Sequence, residues 1–94
     1  MSKYIIKHTT QFKKGYKLAM RRGLNIALLD EVIIKLANGE KLDERFRDHA
    51  LSGKWSKYRE CHIQPDWLLV YHINENILVL TLSRTGTHSD LFKK

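Results

Sequence analysis

His49, His62, Asp66 and His88 stand where strand-like runs begin, turn or end, and Arg84 closes the last of those runs. Histidine can give or take a proton near neutral pH, aspartate can accept one, and arginine carries a fixed charge on a planar set of donors. Together these groups could cleave an RNA backbone through its own 2′-hydroxyl. A base removes the hydroxyl proton, an acid protonates the departing 5′-oxygen, and positive charge stabilises the phosphorane between them. His49, His62, Asp66 and His88 are therefore the candidate catalytic residues. Arg84 and Lys54 are candidate phosphate contacts, and Phe92, beside two lysines near the chain end, is an aromatic suited to a splayed base.

Each of these residues also has an ordinary reading. A histidine in a small domain is more often a surface or core-edge residue than a catalyst. His8 and His72 keep that reading, His72 because it shares strand parity with Leu68 and Val70. A zinc site drawn from His49, Cys61, His62 and His88 is a second alternative, but no His-x₃-His or Cys-x₂-Cys pair supports it. No metal and no cofactor are expected. Cys61 shares parity with Trp55 and Ile63, which suits a small core residue better than a nucleophile. Trp55, Tyr58, Trp67 and Tyr71 could stack on bases, yet a domain this size needs most of its large aromatics for the core.

The 94 residues fit one domain, spanning residues 1–94, with a single core. No apolar run approaches the ~20 residues of a membrane-spanning helix, and the start lacks a basic-then-apolar signal pattern, so no membrane partner and a cytoplasmic location are expected. The lone Cys61 agrees with a reducing compartment. The net charge of +7 is uneven: residues 1–39 carry eight Lys/Arg against two acids, and residues 40–94 carry nine against eight. Such a surplus suits a polyanion, whose neutralised phosphates release counterions, or else a solubilising surface.

These groups need elements to position them. Ser2 to His8 forms a first strand, with Thr9 or Thr10 free to cap the first helix. Gln11 to Arg22 carries Phe12, Tyr16, Ala19 and Met20 on one helical face. Lys13, Lys14, Lys17 and Arg21 gather opposite, the best candidate for a polyanion contact or else a solvated helix face. Gly23 ends that helix, and a second runs from Asn25 to Asn38 with Gly39 closing it. Residues 40–48 form a charged loop, with room for one turn of helix, that delivers His49. Lys54 to Ile63 alternates as a strand with His62 on the face opposite Cys61. Gln64-Pro65-Asp66 turns, Trp67 to Ile73 is an apolar strand, and Asn74-Glu75-Asn76 turns again. Ile77 to Arg84 is the last strand, Thr85-Gly86-Thr87 breaks it, and Ser89 to Phe92 makes a short helical turn. The expected fold is α+β in the order β-α-α-β-β-β, a helical hairpin packed on one face of a small, mainly antiparallel sheet, with the other face left for chemistry.

The segments DHALSGKW, HIQPDW and RTGTHSDLF, in that order, resemble the YafQ branch of the RelE/ParE superfamily of bacterial type II toxins, and the likeness covers nearly the whole chain. It implies a RelE-like fold and a ribosome-dependent endoribonuclease that cuts translated mRNA and is held inactive by a cognate antitoxin. The implied partners are that antitoxin, rRNA and mRNA. By motif position His49, His62, Asp66 and His88 match the branch's catalytic residues and Phe92 its substrate-contacting aromatic. Other RelE-like toxins use lysine and arginine here, whereas this chain keeps the histidine-rich version. Glu60 stands where a family member has Asp. Two other functions are weighed against this one: a ParE-like gyrase poison, which has no need of clustered histidines, and a non-catalytic basic RNA-binding module.

Overall fold

Thr9 and Asn25 start the two long helices. The Thr9 hydroxyl oxygen accepts a hydrogen bond from Phe12 N–H at 3.0 Å and caps α1 (Thr10–Arg21). The Asn25 side chain accepts from Ala27 N–H at 3.2 Å and caps α2 (Ile26–Ala37). Each satisfies a backbone donor that the first turn leaves unpaired. Both helices end at a glycine with positive φ, Gly23 (72°) and Gly39 (77°), as their positions in the chain imply. The computed structural model describes residues 2–91.

Five strands form one sheet in the order β1 (Ile5–His8), β5 (Val79–Gly86), β4 (Trp67–Asn74), β3 (Arg59–Gln64), β2 (His49–Ala50). β1 pairs with β5 in parallel and every other pair is antiparallel. The helical hairpin packs on one face. There Phe12, Leu29, Val32 and Leu36 bury against Cys61, Leu69, Tyr71 and Leu80, and α1 rides so close to β5 that a Cβ on Gly15 would lie 2.2 Å from the Thr85 carbonyl oxygen. The outer face has a smaller apolar patch, Leu68 and Val70 under Leu91 of a short helix α3 (His88–Leu91), flanked by Leu51 and Tyr58. None of the helices among the described residues is long and apolar enough to cross a membrane.

The structure corrects several strand limits. Lys54 lies not in a strand but in a 3₁₀ turn, Gly53–Trp55, and β3 begins only at Arg59. Trp55 consequently leaves the parity of Cys61 and meets the Tyr58 ring edge-on at 5.5 Å. β5 begins at Val79, two residues late, because Ile77 and Leu78 stay in the turn, Leu78 with φ 53°. It then runs past Arg84 through Thr85 and Gly86. The buried Thr85 hydroxyl donates to Leu68 O at 2.7 Å and accepts from Trp67 Nε1–H at 3.1 Å, which holds that segment in the sheet. Met20, expected on the buried face of α1, is 52% exposed. The two-residue β2 was not expected, whereas the 3₁₀ turn at Glu44–Phe46 is the one turn of helix that the charged loop allowed for.

Candidate active site

Strand register lays the site out in two rows on the outer face. Directly opposed residues share a face, so the pairs His49↔Glu60, Glu60↔Val70 and Val70↔Arg84 form one row across four strands. His62↔Leu68 and Leu68↔Gly86 form the next. Arg84 joins its row only because the register of β5 shifts by one residue at Ser83. Without that bulge Arg84 would share the helix-side face of Leu82, two positions earlier.

The histidines meet around Glu60. Its carboxylate, in a residue only 5% exposed, lies 3.6 Å from His49 Nε2 and 3.7 Å from His62 Nε2. The His62 ring is 6.3 Å from that of His49 and 5.9 Å from that of His88. His62 is therefore the middle of three. His49 Nδ1 lies 2.7 Å from the carbonyl oxygen of Arg47, an acceptor only, so Nδ1 carries a proton and Nε2 is the nitrogen turned to the site. Arg47 makes that contact from a left-handed backbone conformation, φ 49°.

His88 is held by Asp66. One carboxylate oxygen, Oδ1, accepts from the His88 ring at Nδ1 (2.8 Å) and from His88 N–H (3.1 Å). The ring hydrogen bond first, and the backbone one after it, lower the Asp66 pKa. The α3 turn that carries His88 is itself fixed by a reciprocal cap, Asp90 Oδ2 accepting from Thr87 N–H at 3.0 Å and Thr87 Oγ1 from Asp90 N–H at 3.1 Å. Arg22, just past the end of α1, donates to the same Asp90 carboxylate at 2.8 Å. That bond, then the Thr87 N–H, lowers the Asp90 pKa to about 2. Beside the cluster opens a cleft of about 680 Å³ bounded by Arg45, Phe46, Arg47, Pro65, His62 and His88.

Of the candidate residues, the fold brings together His49, His62, Asp66 and His88. Lys54 is exposed on its turn, and Arg84 lies 4.9 Å over the Trp55 ring and donates to Leu91 O at 3.4 Å; neither is bonded to the cluster. Phe92 lies outside the described residues. Lys13, Lys14, Lys17 and Arg21 are exposed on α1, on the helical layer rather than the histidine face. The sequence reading gave Glu60 no definite role, although it shares parity with His62, and missed Arg45, Arg47 and the cap whose Thr-x-x-Asp spacing stands in residues 87–90. The ordinary reading of His72 agrees with its bond to Lys57 O at 2.8 Å, and that of Cys61 with its burial, which raises the thiol pKa.

Glu60, His62 and His88 also present three ligand atoms within 4.8 Å of one another, a grouping that sequence spacing hid because its members come from β3 and α3. A tetrahedral zinc site with bonds near 2.1 Å needs ligand atoms about 3.4 Å apart. Of the three atoms, Glu60 Oε1 and His62 Nε2 stand 3.7 Å apart, near that spacing, and the donor set of one carboxylate and two imidazoles is one that zinc takes.

The family model described as the bacterial toxin of type II toxin-antitoxin system, YafQ, matches residues 4–93. The chain belongs to the YafQ toxin family. A curated relative, the mRNA interferase toxin YafQ of Escherichia coli strain K12, is 36% identical over 88 residues, covering 93% of this chain and 94% of the relative. The crystal structure of the E. coli DinJ-YafQ toxin-antitoxin complex contains a chain 35% identical, with a TM-score of 0.88 over 96% of this chain and 98% of that one. A metal-bound toxin from Helicobacter pylori is 38% identical, with a TM-score of 0.89 over 95% and 99%. The RelE-like fold, helices packed on a five-stranded sheet, is shared with the E. coli YafQ chain.

Proposed function

We propose that this chain is an mRNA interferase, neutralised by a cognate antitoxin, that cleaves ribosome-bound message by acid-base chemistry without a metal. The observation that carries the chemistry is the group of three imidazoles in which His62 neighbours both His49 and His88. In an in-line displacement the attacking and leaving oxygens lie on opposite sides of phosphorus. His49 Nε2 takes the 2′-hydroxyl proton as the 2′-oxygen bonds to phosphorus. The bond from phosphorus to the 5′-oxygen breaks, and His88 gives that oxygen its proton from Nε2, the nitrogen that Asp66 leaves free. The products are a 2′,3′-cyclic phosphate and a 5′-hydroxyl. His62 meets the phosphoryl oxygens, and Glu60 pairs with the charge that develops on its neighbours. Asp66, with Oδ1 already holding His88 twice, orients the acid rather than acting as base. Arg84, Lys54 and Phe92 would extend the contact to RNA.

The metal-bound relative raises a second use of the same atoms. An ion held by Glu60, His62 and His88 would act as a Lewis acid on phosphate. An imidazole nitrogen that ligates an ion has no lone pair left for a proton, so metal binding and the proposed chemistry exclude each other. Single alanine changes at His49, His62, Asp66 or His88 should each slow cleavage by about 10² to 10⁴. EDTA should leave wild-type cleavage unchanged and added zinc should inhibit it. Loss of activity on chelation, restored by zinc, would overturn the metal-independent mechanism. Mapping RNA 5′ ends after induction tests the rest: cuts in frame within translated codons are expected, whereas DNA damage would favour a gyrase poison, and neither result a binding module.

A further inference from the structure

The cleft beside the imidazoles holds more positive charge than the proposed chemistry uses. Its volume, about 680 Å³, is that of a small-molecule site. The 3₁₀ turn and the residue after it contribute Arg45, Phe46 and Arg47, and the β3–β4 turn contributes Gln64 and Pro65. His62 and His88 line the cleft as well, whereas His49 does not. No carboxylate among the described residues pairs with either guanidinium. Arg45, itself exposed, lies 4.7 Å over the ring of the buried Phe46, which supports one face of the guanidinium and leaves the second for a ligand. The Arg47 backbone is fixed at both ends, its N–H to Glu44 O at 3.0 Å and its carbonyl to the His49 ring at 2.7 Å. Its exposed guanidinium therefore springs from a rigid point next to the catalytic group.

We propose that this cleft is the subsite for the message nucleotide on the 3′ side of the cut, the one that carries the leaving 5′-oxygen: Arg47 pairs with that nucleotide's own 3′-phosphate, and its base stacks on Arg45. The inference deepens the interferase reading and rests on it for the direction of the RNA. A chain held at the cluster can continue two ways, and the acid decides between them. His88, which protonates the 5′-oxygen, lines the cleft, while His49, which serves the 2′-hydroxyl of the preceding nucleotide, stands outside its lining. The cleft then receives two consecutive phosphates, one at His62 and one at Arg47, with a base between them. Guanidinium suits both new roles, since its fork of donors matches phosphate and its plane stacks on a ring. Phosphate contacts fix register without reading sequence. The amide of Gln64, which both donates and accepts, is the side chain placed to meet the base edge.

Two measurements test the subsite. The first uses the isolated toxin and two probes, adenosine 5′-monophosphate and adenosine 3′,5′-bisphosphate, whose 5′-phosphate stands for the scissile one. Titration followed by backbone amide shifts should show the bisphosphate binding about tenfold more tightly, with shifts at Arg45, Arg47 and Gln64. Arg47→Gln should remove that gain and Arg47→Lys should keep most of it, while Arg45→Ala should weaken both probes by about fivefold through lost stacking. Equal affinities, or a gain that survives Arg47→Gln, would overturn the proposal. The second uses ribosomes programmed with a message that ends one nucleotide past the cut, in either a 3′-phosphate or a 3′-hydroxyl. Wild type should cleave the phosphate-ended message about tenfold faster at subsaturating toxin, and Arg47→Gln should cleave the two at one rate. A variant that slowed both messages equally and preserved their ratio would assign Arg47 to ribosome docking and remove the subsite. Should Arg47→Gln misfold, the wild-type comparisons of the two probes and the two messages still decide. A wild-type toxin that cleaves neither message yet separates the two probes would instead sink the interferase reading and leave a nucleotide site in the cleft.

Discussion

His88 and Asp66 carry the sharpest chemical commitment. Asp66 binds the His88 ring through Nδ1, so the ring has a fixed orientation and presents Nε2, and the carboxylate steadies the charge that an acid carries before it gives up its proton. Those bonds, the ring one first, hold the Asp66 carboxyl below its ordinary value. The stabilisation it brings is therefore complete above the unfolded carboxyl pKa of about 3.9 and is lost as pH falls through the lower folded value. If His88 is the acid, a substrate with sulfur in place of the 5′-bridging oxygen, whose leaving group needs little protonation, should restore cleavage to His88→Ala and not to His49→Ala. Asp66→Ala should be rescued in part, since it acts through His88. Equal rescue of the His49 and His88 variants would place the acid elsewhere.

Among the elements, α3 has the most to do with the fewest residues. Four residues cannot hold a helical turn by themselves, since nucleation is unfavourable; the Thr87–Asp90 cap and the Arg22 bridge hold it. Because the Asp90 pKa is lowered to about 2, its contribution is complete above about 3.9, where the unfolded carboxyl is ionised, and disappears as pH falls through 2. Asp90→Asn should therefore be less stable than wild type near neutral pH, by no more than about 1 kcal/mol since Arg22 is largely solvated, and the gap should close between pH about 4 and about 2. Urea unfolding at the two extremes measures it. A gap that persists at low pH would show that the carboxylate charge is not what stabilises the turn. The helices were legible because their signals are local: Thr9, Asn25, Gly23 and Gly39 sit within a residue or two of the ends they set. The strand details were not. Whether Arg84 faces the helices or the histidines depends on a bulge at Ser83, and whether Thr85 and Gly86 break a strand depends on Trp67 and Leu68. Neither can be read from residues 83–86 alone. Glu60 shows the same limit, for its parity was visible while its place between His49 and His62 required the β2–β3 register.

On the scale of the whole molecule, charge and chemistry occupy different layers. Residues 1–39 hold +6 of the net +7, and they build β1 and the two helices, whereas the histidine cluster comes from residues 40–94 on the far face of the sheet. A toxin that presents its outer face to a message can grip structured RNA only with another surface, and the exposed α1 lysines offer one. Lys14 and Arg21 are exposed on α1, apart from the histidine face. Lys14→Glu combined with Arg21→Glu should weaken association with ribosomes most at low salt. The slope of log K against log salt should become shallower by about 0.7 to 0.9 for each phosphate no longer neutralised, because fewer counterions are released. Cleavage of a short free RNA, where it can be measured, should be unaffected, since the imidazoles are untouched. Association indistinguishable from wild type between about 50 and about 200 mM salt would leave those two residues as solubilising charges and move the docking surface to the arginines beside the cleft, Arg45 and Arg47.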